Sequence, residues 1–290
     1  MLKSLAIVGA GRVGRALAKR LREEGWRVGA VVTRRESTAR KAVRFIGAGR
    51  PCVGVSREIL AANVVLVCTP DDSIAPVAQE IAALLRGEKK LSLRGTVFLH
   101  TSGALDAGIL QPLRKYGAAL GSLHPLQSFS GIGVPPLEGR FFAIEGDDLA
   151  LRTARKIVRC LAGRPVQIGS GKKSLYHAAA ALAAGHVLAI EEAATRMLMS
   201  AGLKRPEAVD ALLGLTRQVL DNFARLGSSA AWTGPLARGD YRVVLAHGQA
   251  MNALPAEYAA AYQALNRLAA RVLANDAKLA LTRLEKIAAN

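Results

Sequence analysis

The chain has 290 residues, 51% of them hydrophobic, and a formal charge of +18 from 40 Lys and Arg against 22 Asp and Glu. That length fits one large or two ordinary domains with a buried core, and the longest nearly uncharged stretch past the N-terminal region, residues 178–190, is too short to span a bilayer. Three scattered cysteines, Cys52, Cys68 and Cys160, form no CxxC pair and argue against a disulfide framework or a cysteine metal site, while basic residues spread along the chain with only six Phe and five Tyr argue against nucleic-acid binding and favour a phosphate-rich small molecule.

Residues 1–14 combine a lysine with an apolar run, as a short secretory signal does, but the glycines at 9, 11 and 14 and the basic amphipathic stretch after them read as a first strand and turn, so the protein is expected in the cytoplasm. From residue 4 to about 168, short runs rich in Val, Ile and Leu alternate with helical patterns. Strands are predicted at 4–8, 27–33, 63–68, 95–100, 118–123, 141–145 and 165–168, and helices at 11–24 and 73–85. This alternation predicts an α/β Rossmann-type, doubly wound parallel sheet over residues 1–168. After Gly169-Ser170-Gly171 the strand-like runs vanish. Ala-rich helical periodicity then continues with breaks near Gly202, Gly227 and Pro255, predicting an all-α domain over 169–290. Its alanine faces, at 178–181 and 259–261, suit close helix packing between subunits and predict a homodimer through the helical domain.

The first turn carries the chemistry most plainly. Gly9-Ala10-Gly11-Arg12-Val13-Gly14 is a GxGxxG directly after a strand and at the opening of a helix. Gly9 permits the tight turn, Gly11 lets backbone approach a pyrophosphate, and Gly14 lets helix and strand pack, with Arg12 and Val13 at the helix N-terminus. At the end of the second strand, where an acidic residue would bind a ribose 2′-hydroxyl, stand Thr33, Arg34 and Arg35. A hydroxyl and two guanidiniums suit a 2′-phosphate, so the expected cofactor is NADP(H), with Glu36 as a neighbouring competitor. Thr69 and Pro70 leave the next buried strand at the ligand-binding edge and are expected to line the cofactor. Asp71 and Asp72 read as helix caps.

Together the VGAGRVG fingerprint, VCTPDDSI, His100-Thr101-Ser102-Gly103, Leu123-His124-Pro125-Leu126-Gln127-Ser128-Phe129 and Tyr176-His177-Ala178-Ala179-Ala180 resemble the Rossmann-like proteins whose C-terminal half is a helical domain of unknown function. The resemblance covers essentially the whole chain. It implies kinship with ketopantoate reductase, pyrroline-5-carboxylate reductase and the 6-phosphogluconate and β-hydroxyacid dehydrogenases, without implying a substrate. In the β-hydroxyacid dehydrogenases, the first helix of the second domain carries a catalytic lysine and, four residues on, an asparagine. Here the lysine matches as Lys173 and the asparagine is replaced by His177. On a helix, i and i+4 share a face, so Lys173 and His177 are the candidate catalytic pair.

His100, Thr101, Ser102 and Gly103 leave one strand at its carboxyl end and His124 leaves another, which makes them candidate substrate-binding residues. The loop over 233–240 offers Arg238 to an acidic substrate. His186 reads as a core histidine and His247 as a helix-interior or turn residue. The histidines lack metal-ligand spacing, so no metal site is expected. The leading reading is an NADPH-dependent oxidoreductase reducing a small, anionic keto acid or imine. A non-catalytic NADP(H) sensor or scaffold is the alternative, and a nucleic-acid binder using the net charge is a third, weaker reading.

Overall fold

β-branched apolar runs favour extended backbone and need cover on both faces, and in the computed structural model, which describes residues 4–86 and 92–288, they build a single eight-stranded sheet. Its strands are β1 (Ser4–Val8), β2 (Arg27–Thr33), β3 (Arg50–Val53), β4 (Val64–Val67), β5 (Val97–His100), β6 (Ala119–Pro125), β7 (Phe141–Gly146) and β8 (Arg164–Gln167). They lie in the order β3-β2-β1-β4-β5-β6-β7-β8. The chain order reverses at β1, which sits between β2 and β4, and ligands of such sheets bind at the carboxyl ends of the strands flanking that point.

Two features depart from the expected sheet, an unpredicted strand and an antiparallel pair. β3 escapes the hydrophobic pattern because its four residues, RPCV, begin with a charge and a proline; as an edge strand it tolerates both. β7 runs antiparallel to β6, because the segment joining them forms an irregular loop rather than the crossover helix that a parallel pair needs.

Helices cover both faces. On one side α1 (Arg12–Glu23), α2 (Glu36–Ile46) and α4 (Asp148–Cys160) bury Leu17, Leu21, Ile46, Ile157 and Val158 against the sheet. On the other, α3 (Ile74–Leu84) and a run of 3-10 turns at Ala107–Tyr116 bury Ile74, Val77, Ile81, Leu110 and Leu113. In α1 the sequence RVGRALAKRLRE places Ala16, Leu17 and Leu21 on the buried face and its arginines outside, the amphipathic spacing of a surface helix.

The chain parts into two compact units, Met1–Ala184 and Gly185–Asn290. The expected line at 168/169 falls before α5 (Lys173–Ala181), whereas α5 belongs to the first unit, bonded to the strand ends by side chains described below. The division falls within a π-helical turn, Leu182–His186. His186 is exposed there, not a core histidine, because the wider turn carries no buried residue.

The second unit is helical: α6 (Val187–Ser200), α7 (Arg205–Ala231), the short α8 (Pro235–Arg238), α9 (Tyr241–Ala250), α10 (Ala256–Leu273) and α11 (Ala277–Ala288). The expected breaks appear: α7 starts after Gly202, deforms at Gly227 (φ +80°), and Pro255 caps α10. Its core is small, formed around Val244, Ala270, Ala280 and Leu284, while Leu188, Leu215, Leu220, Phe223, Leu226, Leu268 and Val272 are each more than half exposed. Among the described residues no helix is long and apolar enough to cross a membrane.

Candidate active site

At the end of β1 the backbone turns at Gly9 with φ +90°, and a Cβ there would stand 2.6 Å from the backbone nitrogen of Thr69. Gly14 in α1 is equally confined, its missing Cβ falling 2.6 Å from the Gly9 carbonyl oxygen, whereas Gly11 meets nothing within 4 Å. Two glycines therefore permit close backbone contact and the middle one leaves a gap. α1 begins beside that gap without any side-chain cap, so its first N–H groups and positive dipole end are available to an anion. Arg15 donates to the carbonyl of Gly131 at 2.7 Å. This fixes the β6–β7 loop beside the fingerprint, where Gly131 also approaches Arg12.

At the end of β2, Arg34 and Arg35 are exposed and their side chains make no hydrogen bond or ion pair among the described residues. The Glu36 carboxylate is occupied by Arg40, at 2.9 and 2.6 Å, so it does not compete. The Thr33 hydroxyl does not fill its expected role as a phosphate donor, because it donates to the Arg35 carbonyl at 2.7 Å and shapes the local turn. Thr69 Oγ1 is buried without a partner, and Pro70 beside it is exposed. A glycine cradle, an uncapped helix, an orphaned hydroxyl and two unpaired guanidiniums together fit a dinucleotide carrying an extra phosphate.

The neighbouring strands end in a polar row. Sheet register sets Val67 beside His100, His100 beside Ser122, and Ser122 beside Glu145. His100 is fully buried, and its Nδ1 accepts the Ser102 N–H at 3.2 Å, which puts the ring proton on Nε2. Burial pushes His100 down to about 3, so the ring is neutral. Ser102, expected to face substrate, instead builds the turn. Its hydroxyl donates to Asp71 at 2.8 Å and accepts the N–H groups of Ala104 and Leu105 at 3.2 and 3.1 Å. Asp71 is thus engaged across the sheet end rather than capping a helix, and no side-chain cap is found at α3.

Lys173 lies 1% exposed behind this turn and donates to the Ser102 carbonyl at 2.7 Å and to Ser122 Oγ at 2.8 Å. Burial pulls it down to about 8, against the opposing pull of Glu145, Asp106 and Asp71. Glu145 in turn accepts the Ala107 N–H at 2.7 Å, and Asp106 accepts the Gly171 N–H at 3.0 Å, fastening the approach to α5. The expectation that Lys173 and His177 face one substrate atom is corrected by these contacts. The lysine turns inward to hold the turn, while His177 is exposed.

His177 and His124 close over Gly103: a Cβ on that glycine would lie 2.4 Å from His177 Cδ2 and 2.9 Å from His124 Nε2. Their rings stand edge to face, with centroids 5.7 Å apart. The other ring nitrogen of His124, Nδ1, shares a 2.9 Å hydrogen bond with the hydroxyl of Tyr176. Burial, then Lys173 and His177, push His124 down to about 4, and burial raises Tyr176 to about 12. Near neutral pH the pair is an uncharged imidazole and an uncharged phenol.

The structure thus gathers His100, Thr101, Ser102, Gly103, His124, Lys173 and His177 in the first unit. Arg238 lies in the second, paired with Asp240 at 3.0 Å, and His247 lies on α9, bonded through Nδ1 to Tyr262. Sequence reasoning missed Tyr176, Ser122 and Glu145 as members of the cluster. The signal for the last two was present as single polar residues interrupting the apolar strands ALGSLHP and FFAIEG. Among the described residues no group of three or more His, Cys, Asp or Glu could hold a metal ion.

A Rossmann-like domain model matches residues 2–125, and a model described as a domain of unknown function, DUF2520, matches 140–269. No curated protein matches the sequence. Among solved structures, a protein from Thermotoga maritima is 26% identical, with a TM-score of 0.68 over 97% of this chain and 98% of its own. A protein from Bacteroides fragilis described as a candidate NADP oxidoreductase is 22% identical, with a TM-score of 0.72 over 91% of this chain and 96% of its own. A reductive aminase from Aspergillus terreus, solved with NADPH and ethyl-5-oxohexanoate, is 16% identical, with a TM-score of 0.59 over 100% of this chain and 94% of its own. At such identities the last two likenesses speak for the fold.

Proposed function

From a chain that joins a Rossmann-like domain to a DUF2520 domain, we propose an NADP(H)-dependent oxidoreductase that acts on a small, anionic keto acid or imine and works as a homodimer. The observation that carries this reading is a single juxtaposition. In one unit, the glycine cradle with its two unpaired arginines shares the carboxyl edge of the sheet with an uncharged His124–Tyr176 pair. The solved structures with this fold include one holding NADPH and a keto ester, which supports the same reading.

In this proposal the uncapped start of α1, with Gly9, Gly11, Arg12, Val13 and Gly14, receives the pyrophosphate, Arg34 and Arg35 receive the 2′-phosphate, and Thr69 and Pro70 border the cofactor. When bound, the cofactor supplies or accepts a hydride. Gly103, lacking a side chain, lets the rings of His124 and His177 close over the HTSG turn to meet a substrate, while His100, Ser102 and Lys173 hold that turn in place. Lys173 is then a positioning residue rather than a proton donor. The homodimer rests on the second unit, whose helices carry exposed apolar residues.

Side-by-side titration of the purified protein with NADPH and NADH tests the cofactor assignment. NADPH is expected to bind at least tenfold more tightly. Changing Arg34 and Arg35 together to Ala should erase that preference, since hydrogen bonds to a charged group contribute about 1.5 to 3 kcal/mol each. Failure to bind either nucleotide would overturn the proposal, and binding of NADPH without turnover on any carbonyl or imine would favour the sensor or scaffold reading.

A further inference from the structure

We infer that His124 and Tyr176 form a proton relay for the proposed reduction, with His124 Nε2–H meeting the substrate heteroatom and Tyr176 holding the reserve proton behind it; this rests on the reductase reading above. The 2.9 Å bond between Nδ1 and the phenol has two possible senses. A neutral phenol is a stronger hydrogen-bond donor than a neutral imidazole N–H, and an imidazole nitrogen is a stronger acceptor than a phenol oxygen. The bond therefore runs from Tyr176 O–H to Nδ1, and the ring proton sits on Nε2. That nitrogen is the one beside Gly103, 2.9 Å from where a side chain would begin, with the His177 ring as the neighbouring wall. The missing side chain of Gly103 lets the His124 ring pack against the turn, and Nε2 makes no hydrogen bond among the described residues and is not shut off from solvent, so its N–H is left for a substrate.

Apart from His177, whose ring stands beside His124 with no hydrogen bond among the described residues to fix its tautomer or hold a reserve proton, the titratable groups nearby are already engaged. Lys173 spends hydrogen bonds on Ser102 and Ser122 and is buried, and His100 is buried behind the turn. Asp71, Asp106 and Glu145 accept from Ser102, Gly171 and Ala107. None of these engaged groups offers a proton toward Gly103. When bound, the reduced nicotinamide supplies the hydride and both electrons. As the substrate carbon accepts them, the π pair of its C=O or C=N bond moves to the heteroatom, which takes the proton from His124 Nε2. The Tyr176 proton passes to Nδ1, so the imidazole stays neutral, and the phenolate left behind recovers a proton from water. Oxidation of the alcohol or amine follows the same path in reverse.

Long-range proton–nitrogen correlation spectra of the wild-type protein at pH 7, with its five histidines assigned by single substitutions, read the tautomer directly. The expected result is His124 protonated at Nε2 and bare at Nδ1, changing to a mixture of tautomers in Tyr176→Phe. In parallel, Tyr176→Phe is expected to bind NADPH within twofold of wild type while kcat falls about 100-fold or more at nearly constant KM, the scale of general acid catalysis. A wild-type His124 protonated at Nδ1, or unchanged kcat in Tyr176→Phe, would overturn the relay alone. A wild-type protein that binds no NADPH would instead overturn the reductase reading on which it rests.

Discussion

At the residue scale, Lys173 shows how burial turns an expected catalytic side chain inward to hold the HTSG turn. Its value in the folded chain, about 8, lies below its ordinary 10.5. Between those values the unfolded chain keeps the proton and the native chain does not, so stability rises with pH through that window and the penalty for charging is fully present below it. Urea unfolding at pH 8 and pH 10 should show the wild type gaining on the order of 2 kcal/mol relative to Lys173→Met; parallel behaviour of the two would contradict the buried lysine. The matching part of the sequence reading, a lysine near the start of a helix after Gly171, was legible because it is local. Its direction was not. Which face of α5 meets the sheet is set by Ser102 and Ser122, which stand 71 and 51 residues away in sequence. The His124–Tyr176 bond, spanning 52 residues, was hidden for the same reason.

At the scale of elements, the strand–turn–helix around Gly9 was the most legible feature, since its glycines, spacing and flanking periodicity all lie within 20 residues and each answers a local steric demand. Gly14 carries that demand at the crossing of α1 over the β1 turn. Because its added Cβ would fall 2.6 Å from a backbone oxygen, Gly14→Ala should destabilise the protein by about 1 to 3 kcal/mol and weaken NADPH binding by displacing α1. Gly11→Ala, in open space, should leave stability nearly unchanged and affect binding alone; thermal unfolding alongside titration separates the two. The elements that escaped prediction, β3 and the antiparallel sense of β7, depend on tertiary context. A polar four-residue edge strand gains its identity only from its partner β2, and strand direction follows from how the connecting chain packs.

At the scale of the whole molecule, the two units differ in how much apolar surface they bury. The sheet unit encloses two extensive cores, whereas the helical unit leaves Leu215, Leu220, Phe223 and Leu226 of α7 and Leu268 and Val272 of α10 exposed. A second copy of the chain is the occupant proposed for these faces. Sedimentation should therefore give a dimer at micromolar concentration, and Leu220→Glu with Phe223→Glu should shift it toward monomer; a wild-type monomer would contradict the proposal. The central claim is hydride transfer, and its most direct test is substrate-dependent NADPH oxidation across keto acids and imines, followed in both directions. Turnover that requires NADPH and falls steeply in Tyr176→Phe is the predicted result; clear NADPH binding with no turnover across the series would contradict it.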